Sequence, residues 1–296
     1  MTAPATRSLR PLDQWSQVTV VGLGLIGGSF ARGLRACWPR LRLVGVDRAE
    51  VLAEVGPSLL VDEAFDAEQR SRALASFAAS DLVFLATPID SIQRWLGDAL
   101  ASGALVSDCG STKRVILRAA QGSPHVGRFV PGHPMAGASG GAKKPSASLF
   151  EQQPWVLCPD AAEPAAFALV EALVTRLGAR PVSMSAAEHD RAVAATSHAA
   201  RLLTSALTVV SDERRAFAAA GPALEHLSRF AGGSSDVWAD ILASNTDEIA
   251  VALEDVIAQL RRCADELAHG TTRHSLELLQ LADEARARLE ASRRRG

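Results

Sequence analysis

Cysteine is scarce and scattered in this chain of 296 residues. Neither a C-x-x-C pair nor a zinc-binding spacing occurs, so we expect no metal in the protein. This cysteine usage is typical of the reducing cytoplasm, which is the predicted location. The four cysteines are Cys37, Cys109, Cys158 and Cys263.

Signals for export, membrane insertion and nucleic-acid binding are also missing. The first residues, 1–15, lack the apolar core of a signal peptide. No run of about 18 apolar residues predicts a membrane span. The formal net charge is −2, which gives no reason to expect nucleic acid or an anionic membrane as a partner. We therefore predict neither a nucleic acid nor a membrane as a partner, and the small-molecule substrate expected instead follows from the motifs below.

A glycine-rich motif is the most informative feature that is present. An apolar run begins at Val18 and leads to Gly22, Gly24 and Gly27 in the spacing G-x-G-x-x-G, followed by a predicted helix at residues 30–36. The first glycine allows a tight turn, the second lets the backbone approach a pyrophosphate, and the third lets helix and strand pack closely. A helix start also offers free N–H groups to phosphate. The predicted cofactor contacts in this motif are Gly22, Gly24, Leu25, Ile26 and Gly27.

Asp47 supports a dinucleotide site and bears on the choice of cofactor. It ends a second apolar run, residues 41–46, about 20 residues after the glycines, where an acidic residue binds the ribose hydroxyls of NAD. Its carboxylate repels a 2′-phosphate, so NAD is favoured over NADP, although Arg48 can reach a phosphate or stack on adenine. The alternative is a tight strand-to-helix turn followed by a solvated aspartate.

Strands and helices alternate along the first half of the chain. Buried strands are predicted at residues 81–86, 104–108 and 128–130, a helix at 89–101, and further helices within 50–77. This alternation favours an α/β fold with a Rossmann-type, doubly wound parallel sheet. The strand at 81–86 ends in Thr87 and Pro88, at the edge of the sheet where cofactors are contacted.

The end of this domain is less regular. Residues 138–153 are rich in glycine, serine and lysine and are predicted to form a mobile loop. Strands at 155–157 and 180–184, which flank a helix at 164–177, are expected to complete the domain. We divide the chain into a lead-in at residues 1–17, with a poorly ordered start, a dinucleotide-binding domain at 18–184 and a helical domain at 185–296.

The C-terminal domain is predicted to be all-helical. Alanine-rich helical periodicity gives a long helix at residues 188–210 and one or two helices at 234–269. In the tail, Glu284 and Arg288 are four residues apart, as in a solvated helical ion pair. A small helical domain with much apolar surface is not expected to bury itself alone. We therefore predict a homodimer that forms through this domain.

His133 is the first candidate catalytic residue. It lies between Gly132 and Pro134, in a predicted loop at the tip of a strand and near the expected position of a nicotinamide ring. An imidazole with a pKa near neutrality can accept a hydroxyl proton while a hydride leaves the same carbon. The alternative is a turn histidine with structural hydrogen bonds.

Ser111 is the second candidate, because it lies at the tip of the preceding strand. Its hydroxyl can orient a substrate hydroxyl or His133, and it can also cap the helix that follows. The neighbouring Lys113 is interpreted as a solvated charge or as a charge on the phosphate side.

Residues of the helical domain are candidates for substrate binding. His198 and Arg201 are three apart on the long predicted helix and share a face. Arg229 comes shortly before a glycine pair and can bind a carboxylate through two hydrogen bonds. The alternatives are a packed core histidine at 198 and a surface arginine at 229.

These motifs together resemble those of the prephenate/arogenate dehydrogenase family of aromatic amino-acid biosynthesis. The resemblance spans roughly residues 18–260, and its most specific part is a His-Pro-Met-Ala-Gly sequence after a nucleotide fingerprint. The matching segments are residues 22–29, 86–89, 108–113, 132–137, 197–198, 228–229 and 238–242.

The resemblance implies an NAD-dependent oxidative decarboxylation of a cyclohexadienol in tyrosine biosynthesis. A hydride passes from ring C4 to NAD⁺ while His133 takes or polarises the 4-hydroxyl proton, and loss of the ring carboxylate as CO₂ makes the product aromatic. Ser111 would hold the hydroxyl and His133. Arg229 would bind a substrate carboxylate, and His198 would line the pocket between the domains.

Departures from the family pattern bear on the substrate. Arg201 replaces a second histidine, and Ser139 and His226 each replace an acidic residue. Because the changes remove negative charge or add positive charge, they favour a pyruvyl carboxylate over an ammonium group, and so prephenate over arogenate. 4-Amino-4-deoxyprephenate stays open as another substrate of this kind.

Functions of other classes are the remaining alternatives. A Rossmann dehydrogenase of the 3-hydroxyacid kind usually relies on a lysine or a His–Glu pair in its helical part, which is not found here with the right neighbours. A non-catalytic NAD-binding sensor would keep the fold without the chemistry. Ser111, His133 and Arg229 argue against that sensor.

Overall fold

The computed structural model describes residues 8–55, 61–137, 144–232 and 235–295. The strands of its first sheet are β1 (Gln17–Val21), β2 (Arg42–Asp47), β3 (Glu63–Asp66), β4 (Leu82–Leu85), β5 (Leu105–Asp108) and β6 (Phe129–Val130). They form a six-stranded sheet in the order β3-β2-β1-β4-β5-β6, and neighbouring strands pair in parallel. The predicted doubly wound parallel sheet is confirmed.

Helices connect these strands and cover both faces of the sheet. They are α1 (Leu25–Cys37), α2 (Ala49–Val55), α3 (Arg70–Ala79), α4 (Ile89–Ala101) and α5 (Arg114–Ala120). β1 is buried along its whole length, as expected for a strand covered on both sides. Short 3₁₀ turns lie at Leu12–Gln14, Val126–Arg128, Ala216–Ala219 and Arg229–Ala231.

Alternate residues of β4 belong to two different apolar cores, because successive side chains of a strand point to opposite faces. Phe84 faces the first core, where its ring stacks on Phe30 of α1 with 4.0 Å between centroids. Val83 and Leu85 face the second core. There, the rings of Phe77 and Trp95 meet edge to face at 5.7 Å.

The helices predicted within residues 50–77 are present as α2 and α3, and β3, which the sequence did not locate, lies between them. β3 is the edge strand of the sheet, and of its residues only Phe65 is buried. A short edge strand of mixed polarity carries no apolar run to reveal it. α1 also begins at Leu25, directly after the glycine turn and before the predicted start at residue 30.

A second, three-stranded sheet lies beside the first. It consists of β7 (Gly132–Pro134), β8 (Pro154–Leu157) and β9 (Arg180–Ser183), with α6 (Pro164–Arg176) between the last two. β8 pairs antiparallel with β7 and parallel with β9. The predicted loop around His133 is therefore wrong, since this residue lies in a strand. β7 pairs with a strand some twenty residues further on, so its local sequence does not reveal it.

The predicted mobile loop falls only partly within the described residues, because residues 138–143 lie outside them, as do residues 1–7 at the start of the lead-in. The rest of the segment is anchored. Phe150 is fully buried in the first core, and the backbone N–H of Ser146 donates to Ser29 Oγ at 3.0 Å. For residues 144–153 the expectation of a mobile loop is wrong.

The C-terminal part is helical, as predicted. Its helices are α7 (Ala186–Val193), α8 (Ala199–Glu213), α9 (Pro222–Ser228), α10 (Ser235–Ser244), α11 (Thr246–Ala268) and α12 (Arg273–Arg295). The long helix predicted at 188–210 contains a π-helical turn, Ala194–His198, between α7 and α8. In α12, the predicted pair forms, with 3.6 Å between Arg288 Nη1 and a Glu284 carboxylate oxygen.

Apolar side chains are exposed along the helical part of the single chain. They include Leu207 and Val209 on α8, Leu260 on α11, and Leu279 and Leu289 on α12. Such a surface favours a helix-to-helix interface.

The helical run Ala186–Glu213 passes a length and composition test for crossing a membrane. This is weak evidence for a membrane span, because the core helix of a soluble protein passes the same test. Here the run also carries His189 and Asp190, which are fully buried polar residues of the fold. The expectation of no membrane partner stays a prediction.

Candidate active site

A crevice opens at the carboxyl edge of the parallel sheet, where the strand order reverses between β1 and β4. Open α/β sheets bind ligands at this point. The cavity has a volume of about 240 Å³. On the sheet side it is lined by residues that the sequence singles out, namely Gly24, Leu25, Ile26, Thr87, Pro88 and Ser111. On the other side α10 contributes Val237, Asp240 and Ile241.

The glycine turn has the shape that a dinucleotide requires. Gly22 has a φ of +93°, and a Cβ built on it would lie 2.3 Å from the carbonyl oxygen of Ala86. A Cβ on Gly27 would lie 1.8 Å from the carbonyl oxygen of Gly22. At Gly24, by contrast, no described heavy atom lies within 4 Å of an added Cβ. The backbone there is open to a pyrophosphate, so the residues present fit the predicted group.

Thr87 adds an unused polar atom to this crevice. Its Oγ1 is buried and has no hydrogen-bond partner within the described part of the chain. A buried hydroxyl without a partner is unfavourable. A polar ligand in the crevice would supply that partner.

Asp47 connects the end of β2 to the glycine turn. Its Oδ2 accepts a hydrogen bond from the backbone N–H of Leu23 at 2.6 Å, and its Oδ1 accepts one from Arg48 at 2.7 Å. The carboxylate therefore lies beside the turn. The cofactor roles of Asp47 and Arg48 stay predictions.

The backbone that carries His133 is fixed by a buried ion pair. The Gly132 N–H donates to Asp108 Oδ1 at 3.1 Å, and the Gly132 carbonyl accepts from Lys113 Nζ at 2.6 Å. Lys113 and Asp108 also bind each other, and both side chains are closed to solvent. The predicted solvated or phosphate-side role of Lys113 is thus wrong. Asp108 is buried at the end of β5 and needs a cation, which Lys113 provides from the next turn.

His133 contacts a second histidine that sequence reasoning missed. Its Nδ1 lies 2.8 Å from Nε2 of His189, and Nδ1 of His189 lies 2.8 Å from Oδ1 of Asp190. His189 and Asp190 lie on α7, whose start is set by a capping box between Ser185 and Glu188. The sequence did contain a signal for this contact, because the adjacent pair His189–Asp190 directly follows a Ser-x-x-Glu helix start.

Asp190 also joins the two parts of the chain. It accepts hydrogen bonds from the backbone N–H groups of Lys113 at 2.7 Å and Arg114 at 2.9 Å. The Arg114 guanidinium in turn binds Asn245 Oδ1 at 2.8 Å and Asp247 Oδ2 at 2.8 Å. The start of α5, α7 and the start of α11 are thereby held together.

Burial keeps the histidines of this cluster neutral. It lowers the pKa of His133 well below 6.5, and repulsion from His189, Lys113 and His198 lowers it further. Burial also lowers the pKa of His198 to about 4, although Asp190 opposes the shift. At neutral pH the imidazole of His133 is therefore unprotonated on one nitrogen and can accept a proton.

Ser111 lines the crevice and is partly buried. Helix α5 begins at Arg114, and its N-cap is Lys113 rather than Ser111. The alternative in which Ser111 caps the helix is therefore wrong. Its role toward the substrate stays a prediction.

His198 and Arg201 meet at Trp238 of α10. His198 is buried in the π-helical turn, with its ring centroid 6.0 Å from that of Trp238 and its Nδ1 3.4 Å from Nδ2 of Asn245. The Arg201 guanidinium lies over the same indole at 5.3 Å. It also donates to the carbonyl oxygens of Phe230 and Gly232.

The other substrate candidates lie at the surface of the single chain or outside the described residues. Arg229 is exposed in the turn Arg229–Ala231, which packs on α8. His226 is exposed on α9. Ser139 lies outside the described residues. The substrate roles of these residues stay predictions.

The parallel sheet, the glycine turn and the crevice together define a Rossmann-type dinucleotide-binding protein. Comparison with protein families agrees. The model described as "Prephenate dehydrogenase, nucleotide-binding domain" matches residues 30–183, and "Prephenate dehydrogenase, dimerization domain" matches residues 185–281. The chain belongs to the prephenate dehydrogenase family.

Individual relatives extend over most of the chain. The prephenate dehydrogenase of Lactococcus lactis is 28% identical over 279 residues, which are 89% of this chain and 73% of the relative. The cyclohexadienyl dehydrogenase of Zymomonas mobilis is 27% identical over 288 residues, 93% of this chain and 97% of the relative. A crystal structure of Aquifex aeolicus prephenate dehydrogenase with hydroxyphenyl propionate and NAD⁺ has the same fold, with a TM-score of 0.82, 22% identity and coverage of 93% and 98%.

The family match confirms the predicted class of enzyme and its nucleotide cofactor. The chain is an oxidoreductase of this family, and its N-terminal domain binds a nucleotide cofactor, as the sequence predicts for NAD. The description of the second domain as a dimerization domain supports the predicted homodimer. The domain boundaries and the individual site residues stay predictions.

Proposed function

We propose that this protein catalyses the NAD-dependent oxidative decarboxylation of prephenate to 4-hydroxyphenylpyruvate in tyrosine biosynthesis. The observation that carries the proposal is the position of His133 in β7, whose backbone is bonded to Asp108 at the end of β5 and to Lys113. The Gly132 backbone beside it bonds to Asp108, and the crevice-lining residues Cys109 to Ser111 follow Asp108 directly. The backbone of β7 next to the proposed proton acceptor is therefore bonded to the end of β5, and the residues that follow β5 line the cofactor crevice.

The reaction requires little more of the protein than orientation and one base. NAD⁺ held at the glycine turn of Gly22, Gly24 and Gly27 would supply the acceptor for the hydride of ring C4. His133 accepts the proton of the 4-hydroxyl, so that the C4–O bond becomes a carbonyl. The bond from the ring to its carboxylate then breaks, CO₂ leaves, and the electron pair makes the ring aromatic. The C4 oxygen takes back a proton and becomes the phenol hydroxyl. Ser111 orients that oxygen.

Asp47 supports NAD as the cofactor. Its carboxylate is held beside the glycine turn by the N–H groups of Leu23 and Arg48, where it binds ribose hydroxyls and repels a 2′-phosphate. We expect turnover with NAD⁺ to exceed turnover with NADP⁺.

The positive charge of Arg201 supports prephenate over arogenate. Arg201 lies over Trp238, next to His198, and provides a cation for the pyruvyl carboxylate. An ammonium group at the same place would be repelled. Arg229 binds a substrate carboxylate in the assembled enzyme, which we propose to be a cytoplasmic homodimer formed through the helical domain.

Steady-state formation of NADH tests the proposal. We expect kcat/KM with NAD⁺ to be higher for prephenate than for arogenate or 4-amino-4-deoxyprephenate. A preference for arogenate or the amino compound would overturn the substrate assignment and keep the reaction. Tight NAD⁺ binding without turnover of any of the three would instead identify a cofactor-sensing protein.

A further inference from the structure

The hydrogen bonds behind His133 form a chain whose direction is set at its far end. We propose that His189 and Asp190 are positioning residues that fix the proton of His133 on Nδ1 and leave Nε2 as the nitrogen that accepts the substrate proton. This inference rests on the proposed function, in which His133 is the base.

Asp190 sets the direction because it only accepts hydrogen bonds. Its Oδ1 accepts from the Lys113 N–H at 2.7 Å, and its Oδ2 accepts from the Arg114 N–H at 2.9 Å and from Arg114 Nε at 3.2 Å. Burial alone would raise the pKa of Asp190, but these bonds and the bond to His189 hold it below its usual value. The group is a carboxylate, which carries no proton to donate.

His189 is the next member of the chain. Its Nδ1 is 2.8 Å from Asp190 Oδ1, so this nitrogen must carry the proton and donate it. The side chain is fully closed to solvent, and burial lowers the pKa of His189 more than Asp190 raises it. A neutral imidazole that donates from Nδ1 has an unprotonated Nε2, which can only accept.

His133 is the last member, and its tautomer follows. Its Nδ1 is 2.8 Å from Nε2 of His189, so it must donate to that nitrogen. The remaining ring nitrogen, Nε2, then has a free lone pair. When Nε2 takes a proton, the imidazolium still donates from Nδ1 to a chain that ends in a carboxylate, which stabilises the charge.

Contacts of Lys113 hold the rings of His133 and His189 in position relative to each other. Lys113 binds the carbonyl of Gly132 through its side chain and Asp190 through its backbone N–H. One residue therefore anchors both the strand that carries His133 and the helix that carries His189. The charged groups around the two histidines are Lys113, Asp108, Asp190 and Arg114, each of them already bonded.

Replacement of His189 tests the inference. The variant His189→Leu removes the Nε2 atom that accepts from His133 and fills its place with an apolar side chain of moderate size. We expect kcat to fall roughly 10- to 100-fold, a part of what a general base contributes, with KM for prephenate and Kd for NAD⁺ within about twofold of wild type. His125→Leu is the matched control, since it also removes a buried imidazole, outside this site. It should leave kcat unchanged.

The tautomer can be read directly by ¹⁵N NMR of histidine-labelled protein, with His133→Asn used to assign the signals. We expect His133 to be protonated on Nδ1 in the wild type and to exchange between tautomers in His189→Leu. His189→Gln offers an amide that can donate to Asp190 and accept from His133, and it should restore part of both kcat and the Nδ1–H form.

The outcomes separate this inference from the proposed function. A wild-type His133 protonated on Nε2, or a His189→Leu variant with unchanged kcat, would overturn the positioning role while prephenate turnover stands. If His189→Leu does not fold, the wild-type and His189→Gln spectra still decide the tautomer. A wild type that turns over none of the three substrates overturns the proposed function, and the proton-accepting role of Nε2 with it.

Discussion

Lys113 and Asp108 form an ion pair from which solvent is fully excluded, and each of them also bonds to the backbone of Gly132. The pair thus connects the end of the parallel sheet to the strand that carries the proposed base. A surface interpretation of Lys113 would leave Asp108 as a buried charge without a cation.

Removing the cation of this pair should destabilise the protein strongly. We expect Lys113→Met to lower the free energy of unfolding by about 3–5 kcal/mol, because Asp108 stays buried without compensation. Chemical denaturation followed by circular dichroism measures this. The control is Arg94→Met, which breaks an exposed helical pair with Asp90 and should change stability by about 0–1 kcal/mol. Equal effects of the two variants would contradict the buried role of Lys113.

Alanine at different glycines should separate cofactor binding from folding. Gly24→Ala places a Cβ in open space, so we expect wild-type stability and a Kd for NAD⁺ raised by tenfold or more, about 1.4 kcal/mol or above. Gly22→Ala meets both a positive φ and the Ala86 carbonyl, so it should lower the melting temperature.

Gly97→Ala controls for the added methyl group, because it also faces open space on α4 and should stabilise that helix by roughly 0.5–1 kcal/mol. Calorimetry and NAD⁺ titration check the set. Unimpaired NAD⁺ binding by Gly24→Ala would place the pyrophosphate elsewhere.

The protein should lose stability as the pH is lowered through a range set by its buried histidines. The pKa of His198 is about 4, against 6.5 for an ordinary histidine, and burial also lowers the pKa values of His133 and His189. The unfolded chain binds more protons than the folded one below 6.5, so stability is lost as the pH falls from about 6.5 toward 4.

Carboxylates lose their contribution to stability at a lower pH. Interaction with Arg114 brings the pKa of Asp247 to about 2, below its usual 3.8, so its contribution disappears only below 3.8. Melting temperatures measured from about pH 2 to pH 7 distinguish the two windows. A melting temperature that stays constant from pH 6.5 to 4.5 would mean that these histidines are not buried as neutral groups.

Substrate binding should depend on the arginines of the helical domain. We expect Arg201→Ala and Arg229→Ala each to raise KM for prephenate roughly tenfold to a hundredfold, the value of a charged hydrogen bond of about 1.5–3 kcal/mol, with smaller effects on kcat. Arg286→Ala, on the exposed surface of α12, should leave KM unchanged. An unchanged KM in Arg229→Ala would assign the carboxylate to another partner.

The sequence predicted those strands and helices that are determined by their own residues rather than by distant partners. β1 is a fully buried strand with three valines that leads into a glycine turn. α4 has the predicted bounds because Pro88 precedes an amphipathic stretch. β3 and β7 were missed or taken for a loop, because an edge strand and a three-residue strand depend on distant partners.

The candidate site divides in the same way. The crevice-lining residues Gly24, Thr87 and Ser111 follow from their places at strand ends. The role of Lys113 depends on a buried carboxylate, and the contact of His133 with His189 depends on how α7 packs against the sheet domain. Charge and periodicity along the chain do not encode these contacts. The π-helical turn that ends at His198 is a small irregularity that helical periodicity conceals.

The most direct test of the account is the turnover of His133→Asn with prephenate and NAD⁺, measured as NADH formation and accompanied by Kd for NAD⁺. We expect kcat to fall by about 10²–10⁴, the usual contribution of a general base, with cofactor and substrate affinity close to wild type. Turnover near the wild-type rate would contradict the account, because His133 would then have no part in moving the proton.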